Sequence, residues 1–595
     1  MKKSYRKIIT QKNRETGSSS STVKRLLKYT SRYKFLIFFA FVCALINVAM
    51  SLFAPFIIGK AIDNIISVGN VNFEIVLYYL IILSIVILIG AVFGWVLSLF
   101  TNKITYGAVK DIRSDIFSKL SSVPLKTIDN NSHGNLISTI VTDADAVSDG
   151  LLQGSTQLFS GVITIFATIG FMLSVNYIIA LIVIVLTPLS ILVTYFIARG
   201  CHNMFTLQSQ TRGEMTGLCD EMINGQKLVK AFCFEQKTIK DFEQINMKLY
   251  DYGLKSQFYS ALTNPSTRFV NAVVYAGVLI GGAISIISGN LSVGVLSCFL
   301  SYANQYTKPF NEISGVLTQV QSAVASATRI FKVLDFYEEQ DDKDAQEINN
   351  CDQTIKIKNL KFYYNSSKPL IKNFNLDVRG GQRVAIVGPT GCGKTTLINL
   401  LMGFYQPIDG EIIISGKEIS KIKKQSLRQC FGMVLQDAWF FSGTIKENIA
   451  YSKQNATFNE IVWAAKQAHA HSFIEKLPQG YDTIITSGGV NLSAGQKQLL
   501  QIARVMLSSP PMLILDEATS NIDTRTEIKI QAGFEQIMQN KTSFIVAHRL
   551  STIKQADIIL VMKDGDIIEK GNHNSLLKEK GFYYNLYNSQ FENQS

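Results

Sequence analysis

The first half of the chain is built from long apolar runs, and the second half from short ones broken by glycine and polar clusters. Six runs approach the roughly 20 residues that span a bilayer: about Phe35–Ile57, Ile75–Phe100, Gln157–Leu173, Ile178–Ile197, Phe269–Ile287 and Leu291–Tyr306. The third and last are short. The gaps between them are unequal. The first, third and fifth are short and hold almost no positive charge, with Lys60 alone in the first. The second carries Lys103, Lys110, Arg113, Lys119 and Lys126. The fourth carries Arg199, Arg212, Lys227, Lys230, Lys237, Lys240, Lys248, Lys255 and Arg268. Positive charge stays on the cytoplasmic side, so both termini and both long loops are expected there. Thr101–Val123 and Arg199–Phe258 are amphipathic and poor in glycine and proline, which predicts spans that continue as helices beyond the membrane. Each loop has a turn-like break, at Ile128–Asn135 and at Glu221–Gly225, and either break is a candidate contact with a soluble part or an ordinary turn.

Lys308-Pro309 ends the sixth run, and residues 311–335 read as a further helix. Glu338-Glu339-Gln340-Asp341-Asp342 reads as a solvated linker. From about Cys351 strands alternate with helices, the pattern of a soluble α/β domain. The expected plan is a basic N-terminal segment (1–34), an all-α six-helix transmembrane domain (35–310), a linker (311–352) and an α/β domain (353–595). The last part of the N-terminal segment, from Val23, is expected to lie on an anionic inner leaflet.

Composition supports a membrane part joined to a soluble part: 47% of 595 residues are apolar, 17% charged, and mean hydropathy is +0.17. The net charge of +13 raises nucleic acid as a partner. Its placement in the basic tail and long loops accounts for it instead, and no basic patch is interleaved with aromatics. The eight cysteines show no zinc spacing and no C-x-x-C, as reduced thiols would.

Gly388-Pro389-Thr390-Gly391-Cys392-Gly393-Lys394-Thr395-Thr396 fits the phosphate-binding pattern G-x-x-x-x-G-K-[ST]. Apolar Arg383–Val387 precedes it and Leu397–Leu401 follows, giving strand, loop and helix, so the α/β domain (353–595) is expected to be a P-loop NTPase. Without that context a glycine-rich turn would explain the match. The loop amides and helix N-terminus suit a polyphosphate, Lys394 the β/γ-phosphates and Thr395 a Mg²⁺ ion. A second apolar strand, Met512–Leu515, ends in Asp516-Glu517 about 120 residues later. A carboxylate placed there suits Mg²⁺, and its neighbour suits orientation of an attacking water.

Leu492-Ser493-Ala494-Gly495-Gln496, followed by Lys497-Gln498 and Ile502-Ala503-Arg504, resembles the signature motif of ATP-binding-cassette (ABC) transporters. Gln436 in Val434-Leu435-Gln436-Asp437 resembles the Q-loop. Ser520-Asn521-Ile522-Asp523 resembles the D-loop, and His548 in Val546-Ala547-His548-Arg549 the switch histidine. Tyr364 resembles the aromatic that stacks on adenine. Six spans and one cassette look like an exporter-type half-transporter, such as the bacterial multidrug and lipid exporters. The resemblance implies ATP and Mg²⁺ as cofactors. Glu517, His548 and Gln436 would be catalytic, with Thr395, Gln436 and Asp516 around the metal. Tyr364, the loop from Gly388 to Thr396, Ser493, Gly495, Gln496 and Asp523 would contact nucleotide. Ser493 and Gly495 would do so across a dimer, since one loop and one signature cannot close a family-type site. The other histidines (His133, His202, His469, His471, His573) read as structural. Asp63, Asn271 and Gln305 are isolated polar residues near span positions, open to a structural or a pathway reading.

Three residues depart from the family pattern: Ala494 replaces the commoner Gly, Cys392 the commoner Ser, and Ser487 stands where exporters usually carry a Glu that touches the coupling helices. A homodimer and a pair with a second half-transporter both remain open. The functional reading is ATP-driven export of small amphipathic, drug-like or lipid-like compounds across a bacterial plasma membrane. The alternatives are a siderophore-like importer on the same fold, a peptide exporter, and an ATP-gated channel or regulator, against which Glu517 argues. Glu517→Gln is expected to retain ATP binding while turnover falls on the order of 10²–10⁴-fold; a wild-type hydrolysis rate in an ATPase assay would reassign the water-orienting role.

Overall fold

The computed structural model describes residues 19–591, less 68–69, 290, 343, 349, 365–369, 390, 437, 490, 517–521 and 547–549. The chain divides into two units, one comprising residues 1–121 and 131–336, the other 122–130 and 337–595.

The first unit is helical. Short α1 (Ser19–Thr30) is followed by α2 (Lys34–Asp63) and α3 (Phe73–Ser122); the second unit takes up the chain at α4 (Leu125–Asp129). The remaining long helices are α5 (Phe159–Val175), α6 (Tyr177–Asn224), α7 (Glu235–Ile287) and α8 (Val293–Leu334). Every predicted span falls on one of these. At 50 residues α3 is about 75 Å long, more than twice the hydrocarbon thickness, so it is long enough for a span and an extension beyond it. Among the described residues the helices Ser20–Asp63, Phe73–Ser122 and Arg268–Ile287 are long and apolar enough to cross a membrane, and Ser160–Val175 is a shorter apolar helix.

One sequence reading is corrected. Pro309 does not end its helix: α8 continues through it to Leu334, as α2 continues through Pro55 and α7 through Pro265. A proline removes one backbone donor, and a long, packed helix tolerates that loss. The acidic stretch is exposed at Glu338, Gln340, Asp341 and Asp342, and it is tethered at two points. The Glu339 carboxylate accepts both Arg428 guanidinium N–H groups (2.8 and 2.9 Å), and Asp341 accepts the backbone N–H of Lys424.

Inside the helical unit, Val48, Leu52, Met172, Ile179, Val278, Phe299 and Tyr302 form a core in which the Tyr302 hydroxyl donates to the Leu52 carbonyl (2.9 Å). Helices α2 and α8 cross at two glycines. A Cβ on Gly294 would lie 2.0 Å from the Gly59 carbonyl oxygen, so the backbones touch where side chains would stand. Next to the crossing, Asp63 accepts from the Gly294 N–H (2.8 Å) and the Ser292 hydroxyl (2.7 Å) at the start of α8. A carboxylate at a helix N-terminus offsets the exposed donors and partial charge there, which gives Asp63 a structural role. Away from the apolar runs the helical unit is tied by bidentate pairs, Arg329 to Asp143 and Arg25 to Asp335, and Tyr29 donates to Asp115 (2.7 Å). On α1, Thr22 and Leu26 are buried while Val23, Lys24, Leu27 and Lys28 stay exposed on one face.

The second unit holds two large sheets and a two-stranded one that pairs Gly443–Thr444 with Ile484–Ile485. Strands β1 (Ile355–Phe362), β2 (Ile371–Val378), β4 (Asp409–Ile414) and β5 (Lys417–Glu418) form an antiparallel sheet in the order β2-β1-β4-β5. Strands β3 (Arg383–Val387), β6 (Phe431–Val434), β7 (Met512–Asp516), β8 (Thr542–Val546), β9 (Ile558–Lys563) and β10 (Asp566–Gly571) form the other, ordered β10-β9-β3-β8-β7-β6 and parallel except for β10. This mostly parallel sheet is covered on both faces, which explains its near-continuous apolar strands. Val384, Ile386, Ile514 and Phe544 point into the core shared with the antiparallel sheet. Ala385, Val387, Leu513 and Ile545 point into a second core under the helices. His471 and His573 bond the hydroxyls of Tyr481 and Tyr583 (2.8 Å each), as structural histidines do.

Gly294→Val is expected to lower the thermal midpoint of the purified protein, by the equivalent of about 1–3 kcal/mol of overpacking. Gly170→Ala, where an added Cβ meets nothing within 4 Å, leaves it unchanged. Equal midpoints for the two variants would show that the helices do not need this contact.

Candidate nucleotide site

The carboxyl edge of the parallel sheet gathers the motifs. Asp516 pairs in register with Val546, and Val546 with Ile386, so Asp516 stands level with the strand end that feeds Gly388. Leu515 pairs with Val434, which places Gln436 beyond the same edge. In open α/β sheets ligands bind in the crevice outside the carboxyl ends of the strands.

At this edge the chain turns on glycines. Gly388 has φ +154°, and a Cβ there would lie 2.2 Å from the Met562 carbonyl of β9. Gly393, at φ +105°, is the N-cap of α9 (Lys394–Leu401). The first intrahelical bond runs from Leu397 N–H to Gly393 O (3.0 Å), so the amides of Lys394, Thr395 and Thr396 precede any intrahelical acceptor. The Lys394 ammonium donates to the carbonyls of Gly388 (2.8 Å) and Pro389 (3.0 Å), folded over its own loop. Thr395 and Gly391 are exposed, whereas Thr396 and Cys392 are buried. Burial pushes the Cys392 thiol up, against the opposing charge of Lys394. Thr390, Glu517 and His548 lie outside the described residues.

Tyr364 is half exposed, with its ring set edge-on against Phe362 (4.9 Å, 88°) and Tyr405 (5.0 Å, 87°). The Tyr405 hydroxyl in turn donates to Asp129 of α4, and burial with that carboxylate raises its pKa. Tyr405 was missed in the sequence because 276 residues separate it from Asp129. The only signal was an aromatic pair, Phe404-Tyr405, shortly after the loop helix. It joins the aromatic edge of the site to the segment Ser122–Asn130, whose end overlaps the first chain break read from sequence, Ile128–Asn135. The second break is the turn at Gly225 between α6 and the helix Gln226–Ala231, where Ile223, Leu228 and Phe232 are exposed.

The signature stretch opens helix α10 (Ala494–Ser508) with a reciprocal cap. Ser493 Oγ accepts the Gln496 N–H (3.2 Å), and Gln496 Oε1 accepts the Ser493 N–H (3.0 Å). Ser493 is exposed at the helix N-terminus. Gly495 is buried: a Cβ there would lie 2.4 Å from the Thr526 methyl, on helix α11 (Thr524–Met538). Asp523 caps α11, and the Thr526 N–H it accepts (2.9 Å) holds its carboxyl below the usual range. From α10, Lys497 donates to the Gly488 carbonyl (3.0 Å), and Gly488 N–H donates to the Phe440 carbonyl (3.0 Å). Arg504 donates to the carbonyls of Trp439 (3.3 Å) and Asn448 (2.9 Å), and its guanidinium lies over the Phe440 ring. The Ser487–Gly489 turn, the segment after Gln436 and the signature helix are thus one hydrogen-bonded piece. Ala494 is exposed and leaves this cap intact.

The helical unit contains a cavity of about 500 Å³ lined by Asn271, Val274, Tyr275, Ala303, Asn304 and Thr307 of α7 and α8. The Asn271 side-chain oxygen is buried there with no partner among the described residues, and Gln305 Nε2 donates to the Ser51 carbonyl (3.2 Å).

Comparison with known proteins agrees with this geometry. The family model described as ABC transporter transmembrane region matches residues 37–310, and the one described as ABC transporter matches residues 371–520. The chain is 38% identical over 583 residues to an uncharacterized ABC transporter ATP-binding protein of Bacillus subtilis, covering 98% of this chain and 96% of the relative. It is also 38% identical over 523 residues to a fatty acid ABC transporter ATP-binding/permease protein of Mycobacterium bovis, covering 88% and 83%. A solved bacterial Atm1-family ABC exporter with ATP bound superposes with a TM-score of 0.79 at 27% identity, covering 94% of this chain and 98% of that one. A helical membrane region and a nucleotide-binding cassette on one chain, with motifs gathered at one sheet edge, make this protein a member of the ABC transporter family.

Proposed function

We propose that the chain is one half of a dimeric exporter that uses ATP hydrolysis to move amphipathic, drug-like or lipid-like compounds out across a bacterial plasma membrane, with both termini cytoplasmic. The observation that carries this reading is the split site: the Gly388–Thr396 loop and the Ser493 cap open helices on one cassette, and each presents half of a phosphate cradle. The loop amides and Lys394 neutralise the β/γ-phosphates, and Lys394 must leave its own carbonyls to do so. Tyr364, braced by two aromatic edges, offers a face to adenine; such stacking contributes roughly 1–3 kcal/mol. The exposed Thr395 hydroxyl and the Asp516 carboxylate are hard oxygen donors, which suit Mg²⁺ with phosphate and water completing the shell. When bound, the ion offsets charge on the phosphates. Gln436 stands close enough in the sheet order to share that side of the site. Glu517, directly after Asp516, orients the attacking water, and His548, two residues after β8 in the sequence, would contact the γ-phosphate. Ser493 and Gly495 would meet the ATP of a second cassette, whose identity as a copy or a different half-transporter is set by assembly.

Closure of two cassettes on two ATP molecules would be felt at Asp129 through Tyr405. The cavity near Asn271 offers an apolar wall with amide and hydroxyl groups, suited to one face of an amphiphile. The superposing exporter supports export over import, and the relative named as a fatty acid transporter supports an amphipathic substrate.

Two measurements test this. Gly388→Ala is expected to abolish detectable binding of a fluorescent ATP analogue, because the added carbon meets the Met562 carbonyl; wild-type affinity would remove the loop from the site. Inside-out vesicles bearing the protein are expected to accumulate a fluorescent amphiphile in an ATP-dependent manner, and Glu517→Gln vesicles not to. Accumulation in right-side-out vesicles instead would make the protein an importer.

A further inference from the structure

Two thiols outside the nucleotide site meet in the cassette. Cys351 precedes β1, and Cys430 lies between the helix Lys424–Gln429 and β6, the strand that leads to Gln436. Cys430 is buried, while Cys351 is partly exposed at the margin of the same core. The Ser415 hydroxyl donates to the Cys351 sulfur (3.4 Å) and is itself held by the Asp352 N–H (3.2 Å). The Cys430 S–H lies between the Ser426 carbonyl (3.3 Å) and the Cys351 sulfur. One sulfur therefore collects donors and reaches the surface, and the other waits behind it. We propose that Cys351 and Cys430 form an oxidant-responsive pair, with Cys351 the attacking thiol toward small peroxides and Cys430 the thiol that resolves the product to a disulfide.

The electrostatics agree. The Cys430 thiol, the Ser415 hydroxyl and the Gln353 N–H outweigh burial and lower the Cys351 pKa to about 6, so it is largely thiolate at neutral pH. Burial and the same contact push Cys430 up and keep its proton on. Thiolate character with access selects the cysteine that oxidises first. The Cys351 sulfur attacks a peroxide oxygen; an S–O bond forms, the O–O bond breaks, and the departing hydroxide takes a proton to become water. The Cys430 sulfur then attacks the sulfenic sulfur; an S–S bond forms, the S–O bond breaks, and the hydroxyl leaves as water with the Cys430 proton. Two thiols lose two electrons and the peroxide gives two waters. The buried partner diverts Cys351 from irreversible sulfinic acid beside the strand that carries Gln436. Cys392, buried and raised in pKa, is the contrasting thiol of the same cassette.

The test uses the reduced full-length protein in lipid nanodiscs treated with hydrogen peroxide, followed by non-reducing peptide mass mapping. A peptide joining Cys351 to Cys430, lighter by two hydrogens and reopened by dithiothreitol, is expected. In Cys430→Ser, trapping of sulfenic acid with a cyclic diketone is expected at Cys351, at least about fivefold above the exposed Cys233. In Cys351→Ser, Cys430 is expected to stay unmodified, with ATP-analogue binding unchanged as a check on folding. Absence of the joined peptide, links only between different chains, or faster trapping at Cys233 than at Cys351 would each overturn the proposal.

Discussion

A polyphosphate brings several negative charges to one place, and they can be met only by donors already aimed there. In the proposed site the donors already in place are the first-turn amides of α9, which Lys394 would join on leaving its own loop carbonyls. The amides are positioned by one tight contact, the backbone of Gly388 against the Met562 carbonyl of the neighbouring strand. That contact holds because β3 is buried on both faces, Val384 and Ile386 toward one core and Ala385 and Val387 toward the other. Interiors at this packing density do not shift by an ångström to admit a side chain. The site is therefore as precise as the two cores that clamp its strand.

The same precision passes outward along short polar links. Arg504 and Lys497, both on the signature helix, hold the segment after Gln436 and the turn at Gly488 by their carbonyls. A change in how the signature helix is engaged would reach Gln436 without long-range motion. Ser487 replaces the usual acidic residue in this piece, yet the turn is pinned through backbone groups that any residue supplies. On the opposite side Tyr405 ties the aromatic edge beneath Tyr364 to Asp129. These links are physical candidates for coupling, since allosteric energy needs a two-state element that both sites bias.

In the membrane part the organising constraint is different. Lipid is as apolar as leucine, so burial of apolar surface does not drive helices together; close packing and satisfied polar groups do. Gly59 against Gly294, Asp63 at the start of α8, and Tyr302 to the Leu52 carbonyl are of this kind. The unpartnered Asn271 oxygen in the cavity breaks that rule, and buried polar atoms left unsatisfied are where ligands find partners.

Much was legible in the residues alone. Apolar run length decided the helical membrane part, because a bilayer has a fixed thickness. The glycine spacing before Lys394, the strand ending in Asp516 and the Ser493 stretch marked the site, because phosphate chemistry demands those residue types at local spacing. What the sequence could not decide depended on neighbours far along the chain. Pro309 was read as a helix end, but tertiary packing carries α8 through it. Within the solvated acidic stretch at Glu338–Asp342, nothing marked Glu339 as the residue that Arg428, 89 residues away, would receive. Asp63 stood open between pathway and cap until α8 arrived beside it, and Tyr405 had no visible purpose without Asp129. Local physics writes short-range patterns into the chain, whereas the partner of a charge or a hydroxyl is set by where the fold brings the chain back.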